Sequence, residues 1–273
     1  KVLRYSENYI SDAPGVPFFS ASPASDSSVF TPYGGLVFDI DATHSAYASY
    51  STIYQPQASQ DRHGKLLAPR EGKTYEAGIK SGWLDGRLNT AAAVYLIRQK
   101  NLAETDPGHT LPGSSDPAFR TIKGADTQGI DLEATGSITP NWNVSASWSY
   151  SQTDNAEGKA IQTTFPRHLV KLWTTWRLPG ELHRLTVGGG MNWQSRVYSD
   201  IDAWQVERTF HWEQKAYSVV SLMARYDVSD KLSATVNVAN LFDKQYTASV
   251  SDWWYSGMHG PARKVALKVR YQF

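Results

Sequence analysis

The 273-residue chain carries 27 Lys and Arg against 26 Asp and Glu, a net charge of +1, and no cysteine. That balance offers nothing for nucleic acid, and the missing thiols remove disulfides, thiolate metal sites and thiol catalysis. Mean hydropathy is −0.45, and no apolar run approaches the roughly 20 residues of a membrane helix. A helical membrane protein is excluded; a β-barrel is not, because its strands average apolar with polar residues.

Taken in chain order, the elements are strands. Residues 1–9 are a candidate edge strand, although Arg4 to Tyr9 has little strand character. Segment 45–54 is mixed, 74–81 alternates, and 88–97 is apolar on both faces. Segment 131–138 alternates again. In 142–151, Trp142, Val144, Ala146, Trp148 and Tyr150 alternate with Asn143 and four serines. Segments 185–194, 218–227 and 231–238 follow the same rule. The last strand is the cleanest: Val265, Leu267, Val269, Tyr271 and Phe273 form one face, and Lys264, Ala266, Lys268, Arg270 and Gln272 the other. Polar faces rich in Ser, Thr, Asn, Gln and charge suit the wet lumen of a large barrel better than a sandwich core. Trp and Tyr outnumber Phe, and many lie near strand ends, as at a bilayer interface.

The connections alternate in length. Short turns fall at Asp41–His44, Trp83–Arg87, Thr139–Asn141, Leu178–Arg184 and Val228–Asp230. Long polar loops fall near 55–73, 101–122, 154–165, 197–214 and 241–262. An up-and-down barrel places all of one kind on each rim. The reading is therefore all-β: a transmembrane antiparallel barrel wall of about eleven full strands, with a twelfth in 1–9. No signal peptide opens the chain, so a mature form or a piece of a longer protein is expected.

Several stretches go further. They are Phe30–Asp39, Tyr47–Gln57, Tyr75–Lys80, Asp85–Asn89, Pro166–His168, Leu178–Gly180, Val187–Ser195, Asn237–Tyr246 and the terminal Tyr271–Phe273. In this order and spacing they resemble the C-terminal half of TonB-dependent ferric-siderophore receptors, in the hydroxamate and pyoverdine branch. The resemblance implies a 22-stranded outer-membrane barrel filled by an N-terminal plug domain and energised by the TonB–ExbB–ExbD complex. This sequence shows neither plug nor TonB box, so residues 1–273 are expected to be the C-terminal portion of such a barrel. The partners implied are a ferric siderophore, the protein's own plug, outer-membrane lipid or lipopolysaccharide, and the barrel-assembly machinery. The alternative is a complete twelve-stranded outer-membrane pore. A soluble β-protein would instead use the apolar faces as a core.

A ferric siderophore arrives with its iron already wrapped, so no bound cofactor and no protein metal ligands are expected. The site needs aromatic surface and a few polar groups on the long-loop side. The candidates are Trp253, Trp254 and Tyr255; Tyr198, Trp204 and Trp212; and Tyr54, Gln55 and Gln57. The plainer account of each is loop packing or an interface girdle. Asp200, Asp202, Glu207, His211 and Glu213 match no standard metal spacing and read as solvated loop charge. Gly188–Gly190 lacks the residues of a phosphate loop and reads as close approach of backbones or room for a plug. Asp131 and Glu133 read as lumen-facing acids rather than a catalytic pair. No Ser–His–acid arrangement stands out, so an enzyme is not expected. Tyr271 and Phe273 resemble the terminal signal for barrel assembly.

Overall fold

The computed structural model describes residues 2–3, 8–9, 20–21, 27–203, 208–251 and 256–273. Eleven strands build one antiparallel sheet. They are β1 (Tyr33–Asp39), β2 (His44–Gln55), β3 (Arg70–Trp83), β4 (Leu88–Lys100), β5 (Ala125–Thr139), β6 (Trp142–Asn155), β7 (His168–Arg177), β8 (Leu185–Gln194), β9 (Tyr217–Asp227), β10 (Leu232–Ala239) and β11 (Lys264–Tyr271). Each pairs only with its chain neighbours, apart from the two-residue strand Ala160–Ile161 added beside β6. This is the up-and-down order that alternating loop lengths predict.

Register carries one apolar face across the whole sheet. Phe38 opposes Ala46, Ala46 opposes Ile79, and Ile79 opposes Ala92. Ala92 opposes Leu132, Leu132 opposes Trp148, and Trp148 opposes Val170. Further on, Met191 opposes Val220, Leu222 opposes Val238, and Val236 opposes Leu267. The opposite face carries Glu76, Asp131, Glu133, Lys171, Arg225 and Lys268, because successive side chains alternate.

Among the described residues nothing covers the apolar face. Leu36 is 80% exposed, Val94 54% and Leu267 68%. The only buried apolar residues described are Leu102, Ala118, Ala125 and Val197, all at the long-loop end. A soluble two-layer protein would cover such a face. Here the apolar side is bounded at both ends by rings, with Trp83, Trp142, Trp176 and Tyr226 near the short turns and Tyr50, Tyr75 and Tyr150 near the long loops. Trp142 and Tyr150 stand about 27 Å apart along β6, or about 21 Å along the normal at a tilt of about 40°, close to the roughly 25 Å band of an outer-membrane barrel.

Rings also pack over glycines on the polar face. A Cβ on Gly78 would strike the Tyr47 ring, one on Gly129 the Tyr95 ring, and one on Gly190 the Trp173 ring. The glycines of 188–190 therefore make room for neighbouring strands and side chains of the wall, the first of the two uses expected for them.

Two expectations need correction. Residues 1–9 do not supply a wall strand among the described residues. Val2–Leu3 pairs with Ser27–Ser28 and Asn8–Tyr9 with Ser20–Ala21, both outside the main sheet. A sequence as poor in alternating apolar residues as Arg4–Tyr9 has no face to lay against lipid. Nor do β1 and β11 pair with each other, so the twelve-strand closure is not formed. Three of the long loops, for their part, are built around hairpins. Leu102–Thr110 pairs with Pro117–Ile122, Val197–Ala203 with Arg208–Gln214, and Thr247–Ser251 with Ser256–His259.

Two outcomes follow for the full-length protein folded into lipid vesicles. Val236→Arg should lower stability by about 2–4 kcal/mol in urea titration, whereas Thr235→Arg, on the polar face, should change it little; equal losses would contradict the assignment of faces. Gly129→Val should cut the folded fraction, and adding Tyr95→Ala should restore part of it; no recovery would mean the ring contact is not the cause.

Candidate functional site

All the long connections leave the same rim, and two groups of them are tied together. In the first, the segment between β2 and β3 packs on the hairpin that follows β4. Gln57 Nε2 donates to the carbonyls of Asn101, at 2.9 Å, and Ala68. Asn101 Nδ2 donates to the Pro69 carbonyl at 2.8 Å, and the Phe119 amide to the Gln60 carbonyl at 2.8 Å. Arg62 meets the buried Asp106 at 2.7 Å, and His109 lies 3.0 Å from the Arg62 guanidinium. Asp61 closes the turn before this contact. Its carboxyl is held below the usual range, first by the Lys65 amide and then by that of His63.

In the second group, a cavity of about 480 Å³ opens between the β6–β7 connection and the hairpin after β8. Gln162, Thr163, Phe165, Arg167, Arg196 and Tyr198 line it. The Tyr198 amide donates to the Thr163 carbonyl at 3.0 Å, fixing one connection against the other. The Arg196 guanidinium lies 5.5 Å from the Tyr198 ring centre and bonds Glu213 at 3.0 Å. His211 packs beside Tyr198 and meets Asp200 at 2.7 Å. Phe165 is 70% exposed. Two guanidinium groups, two rings and several amides give a surface for an anionic ligand with planar and peptide-like parts.

The final connection is tied in as well. Thr247 donates its amide to Gln214 at 2.9 Å, and Tyr217 stacks on Tyr246 at 4.5 Å. Asn240, buried and at φ 51°, binds both the Lys244 and Pro261 carbonyls. Asp243 accepts the Arg263 amide at 2.7 Å. Thus Asn240 and Asp243 of the Asn-Leu-Phe-Asp stretch fasten the two ends of the last long connection.

The sequence candidates separate. Tyr198 lines the cavity. Trp212 opposes Ser199 and so lies on the other face of its hairpin from Tyr198. Tyr54 shares the face of Tyr50 and Ala48, the apolar one, while Gln55 takes the polar face. Gln57 spends its donors on loop packing, and its Oε1 is buried without a partner. Trp204, Trp253, Trp254 and Tyr255 lie outside the described residues. Phe165, Arg167, Gln162 and Arg196 were not singled out as ligand contacts in the sequence; only the Pro166–His168 stretch hinted at them. Among the described residues no three His, Asp or Glu side chains gather as a metal site.

The Arg62–Asp106 pair generates a prediction. Arg62→Ala strands a buried carboxylate, and since Arg62 is itself half-exposed the cost is about 1–2 kcal/mol, borne locally. Hydrogen exchange at the Phe119 amide should accelerate roughly tenfold in the full-length protein; unchanged protection would show that the two connections dock without this pair. The Asp61 contribution follows pH with a definite sign. Its folded value is depressed, so its support is present above the unfolded value near 4 and fades as pH falls through the lower folded value.

Comparison with known proteins supplies the rest. The family model described as TonB dependent receptor-like, beta-barrel, matches residues 3–241. A ferric-pyoverdine 358 receptor of Pseudomonas putida is 40% identical over 249 residues, which cover 91% of this chain and 30% of that protein. The ferripyoverdine receptor of Pseudomonas aeruginosa is 38% identical over 252 residues, covering 91% of this chain and 31% of it. The crystal structure of that species' outer-membrane ferripyoverdine receptor bound to ferripyoverdine superposes with a TM-score of 0.85 at 36% identity, covering 100% of this chain and 35% of that one. The chain thus spans about a third of the length of the relatives it matches.

Proposed function

This chain belongs to the TonB-dependent receptor-like β-barrel family, and we propose that it forms the wall and outer loops of a bacterial outer-membrane receptor that takes up a ferric siderophore of the pyoverdine type. One observation carries the reading: an eleven-strand sheet, apolar on one face, raises a rim cavity lined by Phe165, Tyr198, Arg167 and Arg196. The apolar face meets lipid and the polar face an aqueous lumen. A chelate bearing negative charge and a planar ring would stack on Phe165 or Tyr198 and give its anionic groups to the two guanidinium groups. Arg196 is already oriented by Glu213, and the Tyr198–Thr163 backbone bond sets the distance between the two walls, so little ordering is left for the ligand to impose.

The iron is cargo, held by the chelator, and the chain's residues act only on its organic shell. Capture is therefore a binding event and not a reaction. Release into the periplasm would draw on TonB–ExbB–ExbD acting through a plug domain of the whole receptor. Trp204, Trp212, Trp253, Trp254 and Tyr255 stay candidate siderophore contacts in this reading, and of these Trp212 alone is among the described residues. Tyr54, on the lipid side, belongs instead to the outer girdle beside lipopolysaccharide. Tyr271 and Phe273, in edge-to-face contact at 5.2 Å, would present the terminal signal to the barrel-assembly machinery.

The test is titration of the full-length receptor with ferric pyoverdine. Tyr198→Ala and Arg196→Ala should each raise Kd about three- to tenfold, and the triple change of Trp253, Trp254 and Tyr255 to Ala should raise it further, all with normal membrane insertion. An unchanged Kd for all three variants would remove this rim as the binding site.

A further inference from the structure

At the other end of the sheet, the polar face holds a second concavity. A cavity of about 350 Å³ lies among the short turns and the ends of β7, β9, β10 and β11. Five cationic side chains line it, Arg177, Arg184, Arg225, Lys231 and Arg270, against the two carboxylates Asp227 and Asp230. The cations belong to the polar face by register. Asp227 opposes Ser233 and Ser233 opposes Arg270, while Arg225 opposes Thr235 and Thr235 opposes Lys268. Their chain neighbours Trp176, Tyr226 and Tyr271 take the apolar face, so this is not a lipid-facing cluster.

The positive charge is poorly balanced. Among the described residues, Arg225 alone of these five has an ion pair, with Asp227 at 2.8 Å. Arg177 and Arg184 donate to main-chain carbonyls, those of His183 at 2.6 Å and Val228 at 3.0 Å, which orient a guanidinium without neutralising it. Among the described residues Arg270 and Lys231 have no carboxylate within ion-pair distance. Cations gathered in one concavity repel one another and focus a positive potential there, even though each is exposed to solvent. The polar face elsewhere is mixed, with Glu76, Asp131 and Glu133 on β3 and β5 and with Lys80, Lys171 and Lys268 on β3, β7 and β11. A partner of uniform negative charge would be repelled at those three acids, so complementarity selects a ligand that is acidic at this rim.

We propose that this cavity is a carboxylate-binding site that takes the Asp and Glu side chains of an acidic polypeptide segment lying against the polar face at the short-turn rim. The fork of Arg177 or Arg270 matches a carboxylate in the bidentate manner, and Lys231 adds a point charge at the mouth. The tied turns between β7 and β8 and between β9 and β10 hold the site open before the segment arrives. The inference rests on the barrel reading, because it needs the polar face to enclose a space that a polypeptide can enter.

The test uses the full-length receptor in its outer membrane, with photoreactive p-benzoylphenylalanine replacing His183, which lines the cavity. Irradiation should give an adduct on a peptide carrying two or more Asp or Glu within five residues. Arg177→Gln with Arg270→Gln should cut the adduct yield at least fivefold, and Arg177→Lys with Arg270→Lys should keep it within twofold. An adduct on phospholipid, an adduct on a neutral or basic peptide, no adduct, or a yield indifferent to the Gln changes would each overturn the proposal. Ferric pyoverdine uptake by cells with the unsubstituted receptor is measured in parallel. Normal uptake with a contrary adduct result removes this site alone, whereas absent uptake removes the receptor reading itself.

Discussion

Everything in this molecule depends on pairing backbone groups where water is absent. In hydrocarbon an unpaired N–H or C=O costs several kcal/mol, so a spanning sheet must be continuous and must finally have no open edge. The eleven strands meet the first demand: each interior strand bonds both neighbours, with one register shift between Ser137 and Thr139 at the short-turn end of β5 and β6. The second demand falls on β1 and β11, whose outer edges have no partner among the described residues. Relatives of about three times this length, in which the matched region is about a third of the whole, provide the context in which such edges would be paired.

Because the ladder is rigid, the face assignment propagates from strand to strand. A slip of one residue in any pair would turn its apolar side chains into the lumen. The glycines under Tyr47, Tyr95 and Trp173 protect this register by letting large rings lie across neighbouring strands instead of pushing them apart. The same rigidity separates the two ends. Long connections on one rim are cross-tied by Arg62 to Asp106 and by Tyr198 to Thr163, and the second tie borders the rim cavity. Tight turns on the other rim are closed locally, as where Asp41 accepts the amides of Thr43 and His44. The His44 ring, ahead of those amides, holds the Asp41 carboxyl below its usual range.

The wall was legible in the sequence because its rule is local. A period of two fixes which side of a strand each residue takes, and the ending Lys264 to Phe273 shows it without any neighbour. Tyr54 and Gln55 could have been separated by the same rule, since consecutive residues cannot share a face, but a mixed strand hid the pattern. The hairpin within the connection after β4 was masked by Pro107, Gly108 and Pro117, residues that usually end strands; the first two sit in the irregular stretch between the Thr105–Phe119 and Thr110–Pro117 pairs, and the third at a strand start. The cavity was least legible. Phe165 and Tyr198 are 33 positions apart, and only the folding back of two connections brings them together.

The central claim is that the alternating sides of these strands divide lipid from water. Since this chain has no cysteine, single cysteines at 232–239 can be introduced without background from it. Placed one at a time in the full-length receptor in lipid vesicles and labelled with a fluorophore, they report their surroundings through quenching by brominated lipid. The account predicts strong quenching at 232, 234, 236 and 238 and weak quenching at 233, 235, 237 and 239. Uniform quenching, or the opposite alternation, would contradict it.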